Sequence, residues 1–272
     1  MTLTRAQVVD LLARVGRQPS RSLGQNFVVD PNTVRRIARL AEVGSGDQVV
    51  EIGAGLGSLT LALVETGADI TAVEIDRHLV PLLRERVEPL GVRVVEADAL
   101  TLDWGALLDG GSWSLVANLP YNVATPLVAD ILDGVPAVRR MLVMVQREVA
   151  ERLAAGVGDE AYGAVSVKVA YWAEAKVVGL VPASVFLPRP NVESALVAIT
   201  RRPSPAVDIE PERLFPLVRA GFGQRRKMLR RSLAALVTPE VFEAAGVRPE
   251  ARAEELGVEE WGRLAACARP PS

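Results

Sequence analysis

The sequence predicts an α/β fold with a parallel sheet, followed by a small all-helical domain. Between residues 47 and 150, short β-rich runs alternate with amphipathic runs, which is the pattern of βαβ units. From Glu210 onward the pattern is helical, with breaks at 246–249 and 256–257. The proline density of residues 201–211 is typical of a linker. We therefore expect a first domain at 1–203 and a helical domain at 204–272.

The strands are predicted from short runs rich in β-branched residues. In the first domain these runs lie at 48–52, 70–74, 92–96, 114–117 and 141–145. The amphipathic segments between them include 59–65 and 78–87, which we expect to be helices. Two later runs, at 176–181 and 195–200, are expected to form a closing antiparallel hairpin.

Composition narrows the class of protein. The chain has 272 residues, of which 49% are hydrophobic, enough to fill one large and one small core. Its apolar windows fall far short of the roughly 20 residues that a membrane helix needs, and its N-terminus lacks the pattern of a signal peptide. A single cysteine, Cys267, allows no internal disulfide and no cysteine cluster for zinc. We expect a cytoplasmic protein, with the lone histidine, His78, on its surface.

Charge is unevenly distributed, although the net charge is only −2. Residues 222–233, FGQRRKMLRRSL, contain five bases and no acid: Arg225, Arg226, Lys227, Arg230 and Arg231. The N-terminal arm adds Arg14, Arg17 and Arg21. A basic run of this kind is either an ordinary solvated helix face or a nucleic-acid contact, and the charge alone does not decide between them.

A glycine-rich turn follows the first predicted strand of the sheet. In EIGAGLGSLT, Glu51–Thr60, the glycines are Gly53, Gly55 and Gly57, which let the backbone turn sharply and approach a ligand closely. A dinucleotide fingerprint needs a glycine at the sixth position from Gly53, where this chain has Ser58. The turn therefore indicates a cofactor site but disfavours NAD.

Two acidic residues follow the next two strands. Glu74 ends the second strand, where its carboxylate can accept both hydroxyls of a ribose, and Asp98 follows the third, where it can accept the exocyclic amine of an adenine. Either acid alone is also compatible with a helix N-cap. Together with the glycine turn, and without a phosphate-binding lysine motif, they favour S-adenosylmethionine. The expected sheet is then that of a Rossmann-like S-adenosylmethionine-dependent methyltransferase, with no metal.

The fourth predicted strand ends in a polar motif, Asn118-Leu119-Pro120-Tyr121. The exocyclic amine of adenine is a poor nucleophile because its lone pair is delocalised into the ring. If the Asn118 side-chain oxygen and the Leu119 carbonyl accept the two N6 hydrogens, the nitrogen can pyramidalise toward the methyl donor. Tyr121 can stack on the base, and Pro120 stiffens the turn without adding a competing N–H. Positioning is then the main catalytic device.

These motifs resemble those of the rRNA adenine N6-dimethyltransferases of the KsgA type, and the resemblance spans nearly the whole chain. Besides the segments above, it rests on SLGQNFVVD (22–30), NLPYNVATP (118–126), VQREVAERL (145–153), FLPRPNVESALV (186–197) and the basic run. It implies transfer of methyl groups to two adjacent adenosines in the 3′-terminal hairpin loop of 16S rRNA, within the small ribosomal subunit. It also implies a monomer with no membrane partner.

The resemblance assigns roles residue by residue. The implied donor contacts are Asn26, Val28, Gly53, Gly55, Glu74, Asp98 and Asn118. The implied target-base pocket is formed by Asn118, Leu119, Pro120 and Tyr121, with Phe186 as a second aromatic wall. The implied RNA contacts are the five bases of the basic run.

Three residues depart from the family pattern. Val28 replaces the usual leucine, while Asn191 and Glu193 replace a lysine and an aspartate, which leaves the RNA contact at that segment open. Two other functions remain to be weighed: a 23S rRNA methyltransferase of the macrolide-resistance type, and a non-catalytic ribosome-assembly factor.

Overall fold

The computed structural model of the chain describes residues 2–20 and 24–268. The chain divides into two compact units, residues 1–150 with 176–201, and residues 151–175 with 202–272. The sequence-based boundary at 203 placed residues 151–175 in the first domain, whereas the structure groups them with the C-terminal helices. Tyr162, Val167 and Tyr171, from this stretch, pack in the same apolar core as the later helices, which explains the difference.

The first unit is built on a seven-stranded sheet with the order β4-β3-β2-β5-β6-β9-β7. Its strands are β2 (Gln48–Ile52), β3 (Asp69–Glu74), β4 (Arg93–Glu96), β5 (Trp113–Asn118), β6 (Val138–Gln146), β7 (Ala173–Val181) and β9 (Ser194–Arg201). Two short strands, β1 (Phe27–Val28) and β8 (Phe186–Leu187), pair antiparallel with each other.

The helices associated with the first unit follow its strands along the chain, except for α1, which precedes the first strand. They are α1 (Arg5–Arg14), α2 (Pro31–Leu40), α3 (Ser58–Val64), α4 (Val80–Val87), α5 (Trp104–Leu107), α6 (Ala124–Gly134) and α7 (Arg147–Ala154), which extends into the second. The apolar face of α2 buries Val34, Ile37 and Ala38 in the same core as β2 and α3. Asp30 caps α2, since its carboxylate accepts from the Thr33 N–H at 2.8 Å.

The strand register aligns the functional segments. β2 pairs in parallel with β3 and β5, β3 with β4, and β5 with β6, so the carboxyl ends of these strands share one edge of the sheet. β9 is antiparallel to β6 and begins at that edge, where Ser194 pairs with Gln146. The turns after Ile52, Glu74 and Asn118 therefore meet at one place, as the βαβ pattern predicts.

The sequence-based strands are confirmed, with ends displaced by a few residues. The two runs expected to form a hairpin are neighbours in the sheet, as β7 and β9. Helices α1 and α2, and the β1–β8 pair, were not predicted. Within the described residues, no helix is long and apolar enough to cross a membrane.

The second unit is helical, as expected. It contains α8 (Ala164–Trp172), α9 (Pro211–Gly223), α10 (Leu229–Ser232), α11 (Pro239–Ala245) and α12 (Val258–Cys267). Trp261 is fully buried at its centre, and a Cβ at Gly221 would stand only 2.5 Å from the Trp261 ring, so α9 needs a glycine there. Arg213 donates to the carbonyls of Ala265 and Ala268 and so closes the end of α12.

Candidate active site

The glycine turn after β2 adopts the backbone conformation that its glycines predict. Gly53, Gly55 and Gly57 have φ values of +70°, +57° and +83°, a region that residues with a Cβ rarely adopt. At Gly55 the space is also filled, because an added Cβ would stand 3.0 Å from the Phe27 ring. The turn thus leaves its own main chain and an aromatic ring lining the cavity at this edge of the sheet.

Glu74 holds the glycine turn in place. Its two carboxylate oxygens accept from the Gly55 N–H at 2.6 Å and from the Asp76 N–H at 2.8 Å. Burial raises the pKa of Glu74, and these two backbone hydrogen bonds oppose that rise. Glu74 therefore lines the cavity and also connects the end of β3 to the turn that follows β2 through its hydrogen bond with Gly55.

A second carboxyl group, that of Glu51, lies under the same turn. Its side chain is 1% exposed, and burial raises its pKa to about 8. Glu51 Oε2 and the hydroxyls of Ser58 and Thr60 are buried and make no hydrogen bond of standard length with the described residues, although Thr60 approaches Glu51 and opposes the rise in its pKa. Glu51 and Ser58 line the cavity. Buried polar atoms are normally paired, so this end of the cavity is suited to a polar ligand group.

Asp98 lies in a second cavity that shares Gly53, Ile75 and Pro120 with the first. One Asp98 oxygen accepts from the Leu100 N–H at 2.9 Å in a turn, and no helix begins here, so the helix N-cap alternative for this residue is wrong. The other oxygen has no partner among the residues that the structure describes. The side chains of Ile75 and Leu100, which line this second cavity, are exposed. The cavity is therefore an apolar slot, with the free Asp98 oxygen as a polar acceptor at its rim.

The segment before α2 covers the other side of the cavity. The Asn118 amide group donates to the Asn26 carbonyl at 2.9 Å, and Gln25 donates to Asp76 at 2.8 Å. Val28 is buried and pairs with Phe186 in the β1–β8 ladder. Ser22 and Leu23, of the predicted motif, and Arg21, of the basic arm, lie outside the described residues.

The motif after β5 presents two hydrogen-bond acceptors. Because the Asn118 nitrogen is engaged by Asn26, the Asn118 oxygen is the free end of that amide, and no donor to it is found in the described part of the chain. The Leu119 N–H donates to the Met144 carbonyl, while the Leu119 carbonyl has no donor among the described residues. Pro120 and Tyr121 complete the wall, and the Tyr121 hydroxyl is hydrogen-bonded to Ser194 with 2.9 Å between the oxygens.

The structure differs from the sequence-based expectation at Phe186. Its side chain is fully buried in the apolar core and does not line the cavity, because β8 places it opposite Val28. Its carbonyl accepts from Arg5. The aromatic ring that does line the cavity is Phe27, which sequence reasoning missed although it stands between two predicted contacts, Asn26 and Val28.

The basic run belongs to the second unit and is not one continuous helix. Its first two residues end α9, residues 224–227 form a turn, and Leu229–Ser232 form the short helix α10. All five bases are exposed, but two of them are in ion pairs: Arg225 with Glu254 at 2.6 Å, and Arg230 with Glu250 at 3.3 Å. The other three, Arg226, Lys227 and Arg231, form no ion pair with the residues that the structure describes.

Comparison with known proteins identifies the family. The model of the family described as "Ribosomal RNA adenine dimethylase" matches residues 16–269. The chain belongs to this family. It is 48% identical to "Ribosomal RNA small subunit methyltransferase A" of Thermobifida fusca, over 97% of this chain and 95% of that protein. The protein of the same name from Kineococcus radiotolerans is 49% identical, over 97% of this chain and 91% of the relative.

Solved structures share the fold. A dimethyladenosine transferase from Plasmodium falciparum superposes with a TM-score of 0.74 at 24% identity, covering 86% of this chain and 94% of that one. The 23S rRNA methyltransferase ErmE superposes with a TM-score of 0.70 at 27% identity, covering 89% and 98%. The expected Rossmann-like methyltransferase sheet is confirmed, and the chain is an S-adenosylmethionine-dependent rRNA adenine dimethyltransferase.

The residues present fit S-adenosylmethionine. The two connected cavities combine a glycine turn without side chains, unpartnered buried polar atoms at Glu51 and Ser58, and an apolar slot beside Asp98. No cluster of three or more histidine, cysteine or acidic side chains suited to a metal ion occurs within residues 2–20 and 24–268. Gln25, Phe27 and Glu51 also line the cavity and were not predicted, and of these only Glu51, an acid near a strand end beside the turn, had a readable signal in the sequence.

Proposed function

We propose that this dimethyltransferase acts on N6 of two adjacent adenosines in the loop of the 3′-terminal hairpin of 16S rRNA during small-subunit biogenesis. The names of the relatives that are 48% and 49% identical support the small subunit as its substrate. The proposal rests mainly on the two free hydrogen-bond acceptors at the end of β5, the Asn118 side-chain oxygen and the Leu119 carbonyl.

The mechanism follows from these acceptors. The Asn26 carbonyl accepts from the Asn118 amide nitrogen and so fixes the orientation of the amide group. The amide oxygen therefore already faces away from Asn26 when the base enters. In the first transfer, two acceptors match the two hydrogens of adenine N6, and accepting both favours a pyramidal nitrogen whose lone pair is free to attack. Each transfer releases one N6 proton, so in the second transfer a single remaining hydrogen is held by one acceptor. Because the acceptors are preorganised, little reorganisation is needed in the transition state. Tyr121 stacks on the base.

The donor is held by the main chain of the glycine turn and by two acids. Glu74 accepts the ribose hydroxyls, Asp98 accepts the adenine amine with its free oxygen, and Asn26, Val28, Gly53 and Gly55 contact the remainder. When bound, S-adenosylmethionine supplies an activated methyl group on its sulfonium. The apolar residues Ile75 and Leu100 exclude water from the adenine slot.

RNA binding is proposed for the exposed bases of the second unit. Arg226, Lys227 and Arg231 carry charge that no ion pair with the described residues neutralises, whereas Arg225 and Arg230 would have to exchange Glu254 and Glu250 for phosphates. Phe186 acts through β1, by supporting the Asn26–Val28 segment. We further propose that the enzyme is a cytoplasmic monomer without a membrane partner.

Methylation of 23S rRNA is the second candidate, because the ErmE structure is similar at 27% identity. A non-catalytic assembly factor is disfavoured by the intact acceptors at Asn118 and Leu119. Mass spectrometry of 16S and 23S rRNA from cells with and without the protein separates the three. We expect two dimethyladenosines in 16S rRNA to depend on the protein; a change confined to 23S rRNA, or no change, would contradict the proposal.

Donor binding offers a test that does not require RNA. Glu74→Ala removes the carboxylate that holds Gly55 and is proposed to accept the ribose, and hydrogen bonds to a charged group contribute about 1.5–3 kcal/mol each. Titration calorimetry should show at least a tenfold loss of S-adenosylmethionine affinity, and no binding of NAD to the parent protein. Comparable affinity for NAD, or unchanged donor affinity in the variant, would overturn the site assignment.

A further inference from the structure

Ser194 lies beside the proposed base pocket although it belongs to a distant part of the chain. It is the first residue of β9, and β6 separates β9 from β5, the strand that precedes Tyr121. Neighbouring strands are about 4.8 Å apart, so β5 and β9 are separated by roughly 10 Å. A tyrosine that leaves the end of β5 is long enough to cross the end of β6, and the Tyr121 hydroxyl meets the Ser194 hydroxyl at 2.9 Å.

The backbone at Ser194 is fixed on both sides. Ser194 pairs with Gln146 at the end of β6, and the Arg147 N–H continues the ladder by donating to the Glu193 carbonyl at 3.0 Å. The Arg147 guanidinium also lies 3.4 Å from the Glu193 carboxylate. The start of β9, and with it the position of Ser194, is therefore fixed by main-chain hydrogen bonds, to which the exposed Arg147–Glu193 ion pair adds little.

The Ser194 side chain makes one hydrogen bond among the described residues, to Tyr121. Its exposure is 0%, and among the described residues its hydroxyl has no hydrogen-bond partner other than Tyr121. A buried hydroxyl is costly unless it is paired, so the two hydroxyls hold each other. Burial also raises the pKa of Tyr121, which keeps its hydroxyl protonated and able to donate.

We infer that Ser194 is a positioning residue for the reaction: by holding the Tyr121 hydroxyl it fixes the direction of the Tyr121 side chain and so places the ring beside the base pocket. The inference rests on the proposed role of Tyr121 as the stacking wall. A half-buried tyrosine without this contact could turn about its side-chain bonds, and stacking depends on ring orientation. The hydrogen bond removes rotation about the Cα–Cβ bond before the base arrives, so the ring is already at the pocket and only its rotation about Cβ–Cγ has to adapt to the base.

A double-mutant cycle tests the inference. Ser194→Ala and Tyr121→Phe each remove one hydroxyl and keep the ring, and we expect each to lower the single-turnover methylation rate on small subunits by about three- to tenfold. The double variant should be no slower than the slower single variant, because both substitutions remove the same contact. The KM for S-adenosylmethionine should not change in any of the three.

Ser114→Ala is the matched control. Ser114 is also a buried serine of this sheet, but it lies near the start of β5, away from the pocket, and the parent rate should be retained. A parent-like rate in Tyr121→Phe, losses that multiply in the double variant, or a loss of donor affinity in step with the rate would overturn the inference. Failure of the proposed function is distinguishable, since it would leave the parent protein itself without activity on small subunits.

Discussion

The two proposed functional regions of this dimethyltransferase are held together in different ways. At the sheet edge of the first unit, side chains are fixed by main-chain atoms: Glu74 by the Gly55 N–H and Asn118 by the Asn26 carbonyl. In the basic run of the second unit, exposed side chains pair with side-chain carboxylates, Arg230 with the exposed Glu250 and Arg225 with the half-buried Glu254, and within the described residues only Arg225 has a main-chain contact as well, to the Glu160 carbonyl. The first arrangement is shielded from water, whereas the second is screened by salt and exchanges partners readily.

This difference separates a preorganised site from an adaptable one. Preorganised acceptors stabilise a transition state because they do not have to move, and removing one lowers the reaction rate strongly. Exposed ion pairs contribute roughly 0–1 kcal/mol each, so a polyanion can displace the partner acid at little cost. The sheet edge should therefore respond to single substitutions with large changes in rate, and the basic run with small, salt-dependent changes in affinity.

The largest effect is expected for Asn118→Ala. This substitution removes the oxygen that accepts an N6 hydrogen in the transition state and leaves the Asn26 carbonyl without its donor. Loss of one such oriented contact typically lowers kcat about 10²–10³-fold. Methyl transfer to small subunits should fall by this factor while affinity for the subunits stays near that of the parent. A near-parent rate would show that Asn118 is not the acceptor.

The next effect concerns Glu51 and the pH dependence of stability. Its pKa is raised by burial to about 8, so the folded chain keeps this proton at pH values where the unfolded chain has lost it. The folded state then binds more protons, and stability must fall as pH rises from the ordinary carboxyl range to about 8, with no further change above that. Between pH 6 and pH 8 the loss should be about 2 kcal/mol.

Glu51→Gln isolates this contribution, because glutamine keeps the shape of the protonated carboxyl and does not titrate. Urea unfolding of both proteins at pH 6 and pH 8 gives the contribution of Glu51 together with its charge coupling to Glu74, the nearby carboxyl whose pKa is also raised. We expect the variant to gain stability relative to the parent as pH rises. Parallel pH profiles would mean that Glu51 is charged in the folded protein.

The same difference between the regions explains what the sequence could predict. The strand run predicted at 48–52 and the glycine turn follow from local chemistry, because β-branched alternation and positive φ are properties of the chain itself. Phe27 reaches the cavity, and Phe186 the core, through the long-range β1–β8 pairing, which no local pattern encodes. The helical domain was predicted, but residues 151–175 joined its core through tertiary contacts of Tyr162 and Tyr171.

In the basic run, too, the sequence could not predict which charges are paired, because pairing depends on long-range contacts. The five exposed bases of the run look equivalent in the sequence, but Glu254 and Glu250 lie 29 and 20 residues from their partners along the chain. Their pairing divides the run into two neutralised and three unpaired cations, counted within the described residues. This division leads to the smallest and most specific expected effect.

Arg226→Gln and Lys227→Gln together should weaken binding to small subunits at low salt and flatten the dependence of log K on log salt. Each lost phosphate contact reduces that slope by about 0.9 on a duplex and about 0.7 on a single strand. Filter binding at several salt concentrations measures it. S-adenosylmethionine affinity should stay the same, since the donor residues Gly53, Glu74 and Asp98 belong to the other unit.

Arg225→Gln and Glu254→Gln are the matched pair that sharpens this test. Because Glu254 already neutralises Arg225, removing the arginine should change the salt slope by less than removing Lys227 does. Glu254→Gln should instead release the Arg225 charge and raise affinity for the subunit slightly at low salt. If Arg225 and Lys227 prove equivalent, RNA displaces Glu254 completely; if neither changes the slope, the run is a solvated surface, and the contact moves to the arm at Arg14 and Arg17.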